Sequence, residues 1–220
     1  MLSQDSSILE AVRELAARLD VADPGLEEVS WRDVAGASSK AYHIVPSDRA
    51  EFQPHTLILP ARMKDALSVD EWRPILASTL AYRKLYSRIM RKRTPLLLIP
   101  LIVLIVLGVV LSLFIGTQLP AALMFVYFIV IIPVLRGNTR LLYQGYLQAD
   151  RTAASIVGRE VFLAVLRKID SLNLPDIEKS KKPGFDSRKA VNPVPNILDR
   201  ISNLEALSAS ASYADTLGSS

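Results

Sequence analysis

The pattern of apolar and polar positions divides the chain into a mixed N-terminal region, a long apolar centre and a helical C-terminal region. Apolar residues recur at helical spacing in residues 6–20, which predicts an amphipathic helix. Three short segments with strand character follow, at residues 27–34, 40–46 and 55–63, and polar loops separate them. These three segments predict a small antiparallel sheet.

A second helix is predicted to begin next to Ser68, because Ser68 and Glu71 have the spacing of a capping box. This helix would carry Ser78 and Tyr82 one turn apart on the same face. It contains no His and no Cys, and Glu71 is its last acidic residue. Two interpretations remain open at this point: a former active-site helix, or an ordinary helix that leads into the apolar centre.

The apolar centre consists of two uncharged runs, residues 95–115 and 119–135. The first would form roughly 30 Å of helix, which is the thickness of a bilayer core. Two buried helices of a soluble protein are the alternative, but uncharged runs of this length are more typical of membrane spans. The pattern therefore predicts a transmembrane helical hairpin over residues 95–135.

Positive charge lies at the outer ends of these runs, and the short connection between them has none. The positive-inside rule then predicts an integral membrane protein with two spans and with both termini in the cytosol. Basic residues of this kind also bind anionic lipid headgroups, so membrane lipids, and not nucleic acid, are the predicted partner. The basic cluster before the first run consists of Arg83, Lys84, Arg88, Arg91, Lys92 and Arg93.

The C-terminal region, residues 136–207, is predicted to return to the cytosol as helices. A helical pattern covers residues 141–172 and is expected to break near Gly158. A polar, basic loop and a short last helix follow. Residues 208–220 have the small polar composition of a disordered tail.

Composition adds limits on the chemistry. The 220 residues suggest one domain, or one domain with an appendage, and the absence of Cys excludes disulfides and thiolate metal sites. His43 and His55, with Asp48 or Glu51, could form a weak metal site, although histidines in or beside a sheet are the more common interpretation. A dyad of Ser78 with Lys84 has no supporting sequence context.

The order of these segments resembles that of the HtpX-type membrane zinc metallopeptidases, which are related to the CAAX prenyl endopeptidases. "DEW" at 70–72 matches the opening of the helix that carries HExxH in that family. "QADRTAA" at 148–154 matches the returning helix, and "NPVPNILDRISNL" at 192–204 matches the chain end. The resemblance covers roughly residues 6–205 and implies a metallopeptidase-like helical domain, with the hairpin inserted in it and a small sheet beside it.

The resemblance also places this chain's residues at the family's catalytic positions. Ser78 and Tyr82 fall where the family has its two zinc-binding His, Thr79 falls at the catalytic Glu, and Tyr146 falls at the third ligand. Protonated hydroxyls are poor zinc ligands, so zinc is expected to be absent. Asp150 matches a retained family position. It is expected either to join the two helices or to form a solvated pair with its neighbour Arg151.

The resemblance therefore implies a mainly α (α+β) pseudoenzyme that binds a protein or peptide, such as a membrane protease or its substrate. An active peptidase with unconventional residues and a plain membrane anchor are the alternatives. If the family scaffold is retained, Tyr82 and Tyr146 should be neighbours, with Ser78 and Thr79 near them and Asp150 within one helical turn.

Overall fold

The computed structural model of the chain describes residues 3–35, 43–115, 140–182 and 194–218. Short strands lie in the N-terminal part: β1 (Glu28–Trp31), β2 (Val34–Ala35), β3 (His43–Ile44), β4 (Glu51–Gln53) and β5 (Thr56–Leu59). The helices are α1 (Gln4–Arg18), α2 (Val69–Ile115), α3 (residues 140–157), α4 (Arg159–Ser171), α5 (Pro175–Lys181) and α6 (Ile197–Gly218).

The first helix and the start of the second form as their sequence signals predict. Ser3 accepts a hydrogen bond from the backbone N–H of Ser6 at the start of α1. At the start of α2 the Ser68 N–H donates to Glu71 Oε2 at 2.8 Å, and the Glu71 N–H donates to Ser68 Oγ at 3.3 Å. This is the reciprocal capping box, so the predicted helix start is confirmed.

The sheet differs from the prediction of an antiparallel sheet. Its strand order is β1-β5-β4, in which β5 pairs antiparallel with β4 but parallel with β1. The backbone around His55 explains the parallel pairing. His55 has φ 62° in the turn between β4 and β5, and its carbonyl accepts the Glu27 N–H at 2.8 Å, which aligns the starts of β1 and β5. Strands β2 and β3 form a separate antiparallel pair.

One hydrophobic core joins the sheet to α1, α2, α4 and α6. Ile8 and Leu15 of α1, Trp72 and Leu76 of α2, and Phe162 of α4 are fully buried. Burying each such side chain is worth about 1.5–3 kcal/mol. The first turns of α2 are therefore held on both sides, which fixes the face that carries Ser78 and Tyr82.

The prediction of a two-span membrane hairpin, and with it of an integral membrane location, was wrong. Among the described residues, no helix has the combination of length and hydropathy that is needed to cross a membrane. The first apolar run is the continuation of α2, which starts at Val69 inside the core, so it is not a separate apolar helix. The second run, residues 119–135, lies outside the described residues.

The C-terminal region contains more helix than was predicted. The expected break falls at Gly158, which has φ 95° and separates α3 from α4. Helix α5 occupies the start of the predicted basic loop, because Pro175 and Asp176 favour a helix N-terminus. Helix α6 continues to Gly218 and so covers most of the segment whose composition predicts disorder.

Candidate functional site

Residues that the sequence resemblance singles out meet where α2 faces α3. The rings of Tyr82 on α2 and Tyr146 on α3 are stacked, with 3.5 Å between centroids and 11° between planes. One turn away, Ser78 Oγ donates a hydrogen bond to Asp150 Oδ1 at 2.5 Å. The expected neighbourhood of Tyr82, Tyr146, Ser78 and Asp150 is therefore confirmed.

Asp150 is also bound by an arginine from α6. Arg200 NH2 donates to Asp150 Oδ1 and Arg200 Nε donates to Asp150 Oδ2, both at 2.9 Å. This is a bidentate guanidinium–carboxylate pair, the strongest common form of charge-assisted hydrogen bonding. Asp150 is only 1% exposed, so the alternative of a solvated pair with Arg151 was wrong. Arg151 donates instead to Asn203 Oδ1 on α6, at 2.9 Å.

A second carboxylate completes this buried network. The remaining guanidinium nitrogen, Arg200 NH1, donates to Asp48 Oδ2 at 2.9 Å and to the Asp48 carbonyl at 2.8 Å. Asp48 lies between β3 and β4, so the network joins the strand region to α2, α3 and α6. We refer to Ser78, Asp150, Arg200 and Asp48 as the buried network.

Charge balance keeps Asp48 and Arg200 of the buried network ionised. Burial alone would raise the pKa of Asp48, but the charges of Arg49 and Arg200 and the hydrogen bonds from Arg200 outweigh it and hold the pKa below its usual value. Burial would likewise lower the pKa of Arg200, but Asp150 and Asp48 outweigh it, so the pKa is raised. Each ion is paired and hydrogen-bonded, as buried charges require.

Unlike the ionised groups of the buried network, Tyr82 of the tyrosine pair is held in its uncharged form. Burial raises the pKa of Tyr82 far above its ordinary value, and the neighbouring phenol of Tyr146 adds to the rise. The guanidinium of Arg49 lies over the Tyr146 ring, with its Cζ 5.1 Å from the ring centroid. Tyr82 therefore stays a neutral phenol, and a neutral phenol is a poor metal ligand.

The hydroxyl of Thr79, which the resemblance places at the catalytic Glu, bonds within its own helix and not to this cluster. Its Oγ1 donates to the Ile75 carbonyl at 2.9 Å, one turn back along α2. That bond is the common way in which threonine satisfies its hydroxyl inside a helix. The structure therefore brings together four of the five predicted site residues, whereas the Thr79 hydroxyl is hydrogen-bonded within α2.

The two alternative sites proposed from the sequence do not assemble. His43 pairs with Glu51 at 2.9 Å, whereas His55 pairs with Glu27 at 3.1 Å. Asp48 accepts a hydrogen bond from Arg200. Lys84 donates to the Leu19 carbonyl and to Asp20, and not to Ser78. In the described part of the chain, no group of three or more His, Asp or Glu side chains is placed to hold a metal ion.

The basic cluster on α2 divides into two kinds of residue. Lys84 is bound at its ammonium group, and the Arg83 Cζ lies 5.8 Å from the centroid of the Phe52 ring. Both side chains thus contact the strand region or the end of α1, while Arg88 and Arg91 are exposed. The side chains of Lys92 and Arg93 lie outside the described residues.

Above the tyrosine pair lies an open groove of about 520 Å³, which we call the tyrosine groove. Tyr82 and Tyr86 on α2, with Leu142 and Tyr146 on α3, form one wall. The opposite wall runs from His43 to Pro46 and from Arg49 to Glu51, where β4 begins. Strand β4 is one of the two outer strands of its sheet in the part of the chain that the structure describes.

Sequence reasoning missed Arg200 and Asp48 as parts of this site. A signal for Arg200 was present, because it lies three residues after Ile197 and four before Leu204, and both are buried. A charged residue on the apolar face of a helix is almost never fully buried without a partner. The sequence gives no comparable pattern around Asp48, since only the tertiary fold brings it to α6.

Comparisons with protein-family models, with curated proteins and with solved structures find no match for this chain.

Proposed function

We propose that this chain is a non-catalytic, metallopeptidase-like protein that binds an extended polypeptide in the tyrosine groove. The observation that carries the proposal is the stack of Tyr82 on Tyr146 at the positions that align with metal ligands in the HtpX-type family. The stacked rings lie between α2 and α3, and they form part of one wall of a groove that is open to solvent.

The chemistry of the cluster favours binding over catalysis. Peptide hydrolysis needs an activated water or an activated nucleophile, together with a base within hydrogen-bond reach. Ser78 is only 4% exposed. Its hydroxyl donates a hydrogen bond to the carboxylate of Asp150, which two nitrogens of Arg200 also bind. A hydroxyl fixed in this way joins helices and does not attack a substrate.

The groove has the two features that an extended peptide requires. Glu51 of the outer strand β4 lines the groove, and the edge of an outer strand can supply main-chain hydrogen bonds to an added peptide strand. The opposite wall offers aromatic rings, including Tyr86, which is 41% exposed. Tyrosine supplies a large and rather rigid contact surface at low entropic cost, and it is enriched in protein-binding sites.

Selection from a random dodecapeptide library on immobilised full-length protein tests this proposal. Fluorescein-labelled copies of the selected peptides are then titrated by fluorescence anisotropy. We expect Tyr86→Ala to weaken binding about tenfold, because it removes an exposed ring from the wall of the groove. Leu198→Ala on α6 is the matched control, since Leu198 is 48% exposed and lies outside the groove.

The same selected peptides also test the absence of catalysis. They should remain intact after prolonged incubation with the protein, as followed by mass spectrometry. Failure to select any peptide, or equal binding by the Tyr86→Ala and wild-type proteins, would contradict the binding proposal. Chelator-sensitive cleavage of the peptides would favour an active peptidase instead.

A further inference from the structure

A second cavity adjoins the tyrosine groove on the far side of Arg49. It has a volume of about 510 Å³ and lies between the segment after β3, helix α5 and the start of α6. Four residues line both spaces: Ile44, Pro46, Arg49 and Val194. The two spaces therefore adjoin and share part of their lining, and we call the second one the proline cavity.

The surface of the proline cavity is mostly apolar. Pro46, Pro175 and Pro195 supply rigid rings, and Ile44, Ile177 and Ile197 supply aliphatic side chains. Ile177 and Ile197 are buried in the core and fix the inner wall, whereas Ile44 at the outer rim is 60% exposed. A rigid, largely preformed apolar concavity of this size is typical of a ligand site.

The arginine and aspartate side chains at the cavity are already satisfied inside the protein. Arg62 Nε donates to Ser47 Oγ at 2.7 Å, and Arg62 NH2 donates to Asp176 Oδ2 at 3.0 Å. Asp176 also accepts from the N–H and the hydroxyl of Ser47.

Of the three other charged residues that line the cavity, Lys179 is exposed to solvent, and Arg49 and Asp48 are engaged in the same way. Arg49 NH2 donates to the Pro195 carbonyl at 2.8 Å, and Asp48 is bound by Arg200. A polar ligand group placed in this cavity would have to displace one of these bonds, because each arginine or aspartate there already has a partner. An apolar group would displace none of them, so the cavity discriminates in favour of apolar side chains.

We propose that the proline cavity is the specificity pocket of the peptide-binding groove, and that it takes a large apolar side chain of the bound peptide. This inference rests on the proposed function, since the peptide main chain would lie in the adjoining tyrosine groove. Continuity through the four shared residues carries it. In an extended peptide, side chains alternate between two directions, so a residue near Ile44 and Arg49 projects into one space while its neighbours project elsewhere.

The size of the cavity sets the preference among apolar residues. Leu, Met, Phe and Trp would bury most of their surface in it, and full burial of such a side chain is worth about 1.5–3 kcal/mol. Ala or Gly at the same peptide position would leave the cavity unfilled. Asp or Glu would lose hydration inside the cavity, where the guanidinium groups of Arg49 and Arg62 are already engaged.

The test uses the peptides selected on the full-length protein, with Ile44→Asp as the variant and Val34→Asp as its control. Val34 is the cross-strand partner of Ile44 in the β2–β3 pair and is 46% exposed, but it lines neither space. Both substitutions place a carboxylate on an exposed strand position, so their effects on folding are matched. Thermal unfolding of each variant checks this.

We expect the selected peptides to share one large apolar position, and Ile44→Asp to weaken their binding by about tenfold or more. Val34→Asp should bind like the wild type, and replacing the shared apolar residue of the peptide by Ala should reproduce the loss. Equal loss in both variants, or no loss in either, would overturn the inference. If peptide binding depends on Tyr86 but not on Ile44, the inference of a specificity pocket is wrong while the proposed function stands. If the wild-type protein selects no peptide, the proposed function itself is wrong.

Discussion

The ring of Tyr146 lies flat on the ring of Tyr82, with 3.5 Å between their centroids. These residues are far apart in the sequence, and they meet because α3 returns along α2 at the level of the buried network. Tyr82 also lies 5.9 Å from Tyr86, centroid to centroid, which extends the aromatic surface towards solvent. The stack is thus both a contact between two helices and part of the wall of the tyrosine groove.

Burial of Tyr82 predicts a loss of stability at alkaline pH. Its pKa is higher in the folded chain than in the unfolded chain, so its contribution is complete below the ordinary tyrosine pKa of about 10 and is lost as the pH rises above that value. We expect the free energy of unfolding, from urea titrations between about pH 8 and pH 11, to fall less steeply in Tyr82→Phe than in the wild type. Identical profiles would show that the Tyr82 phenol is not protected.

Arg200 should be among the most sensitive positions in the chain. Arg200→Met would leave the carboxylates of Asp48 and Asp150 buried without their shared cation, and removing one partner of a buried ion pair typically costs about 3–5 kcal/mol. Urea unfolding measures this cost. Arg167→Met is the control, because Arg167 pairs with Glu205 at the surface, where such pairs are worth about 1 kcal/mol or less. Similar losses in both variants would contradict this prediction.

Substitution of two glycines by alanine should change the stability of the protein in opposite directions. Gly158 has φ 95°, so Gly158→Ala forces an unfavourable backbone conformation even though the new Cβ would have room, and it should cost about 1 kcal/mol or more. Gly145 lies inside α3, and a Cβ there would meet Leu85 and Tyr82 at ordinary distances of 3.5 and 3.6 Å. Gly145→Ala should therefore stabilise the protein by roughly 0.5–1 kcal/mol. Changes of the same sign in thermal unfolding would refute the comparison.

Local signals in the sequence predicted local structure well. The capping box at Ser68 and Glu71 and the helix break at Gly158 appear where expected, because each depends only on nearby backbone atoms. The parallel pairing of β1 with β5 was not predictable in this way, since the contact that aligns them joins Glu27 to the distant His55. The membrane hairpin was a prediction from hydropathy alone, and hydropathy does not show that the apolar run continues a helix whose first turns belong to the core.

The site was only partly predictable. Spacing along two helices placed Ser78 and Tyr82 on one face and Tyr146 and Asp150 on another, and the facing of α2 and α3 then brought them together. The buried network also needs Asp48, which comes from the loop between two short strands. The helical period that identifies the core face of a helix does not extend to a loop, so only the folded structure reveals this partner.

Metal binding tests the resemblance to the metallopeptidases directly. We expect purified wild-type protein to contain much less than one zinc per chain by plasma mass spectrometry, because the hydroxyls of Ser78, Thr79, Tyr82 and Tyr146 are poor zinc ligands. One tightly bound zinc per chain, removed by a chelator together with any peptidase activity, would contradict the pseudoenzyme proposal.

The combined variant Ser78→His, Thr79→Glu, Tyr82→His and Tyr146→Glu should gain zinc if the resemblance is correct. Two His one turn apart on α2 would face a Glu on α3 across the space that the tyrosine stack fills in the wild type, which is the ligand set of an HExxH site. The triple variant that keeps Tyr146 is the control, because it lacks the third ligand and should bind zinc more weakly in competition with a chromophoric chelator. Both variants replace Ser78 and therefore lose its hydrogen bond to Asp150. Circular dichroism must first show that both of them fold. Equal zinc affinity in two folded variants would mean that Tyr146 does not occupy a ligand position.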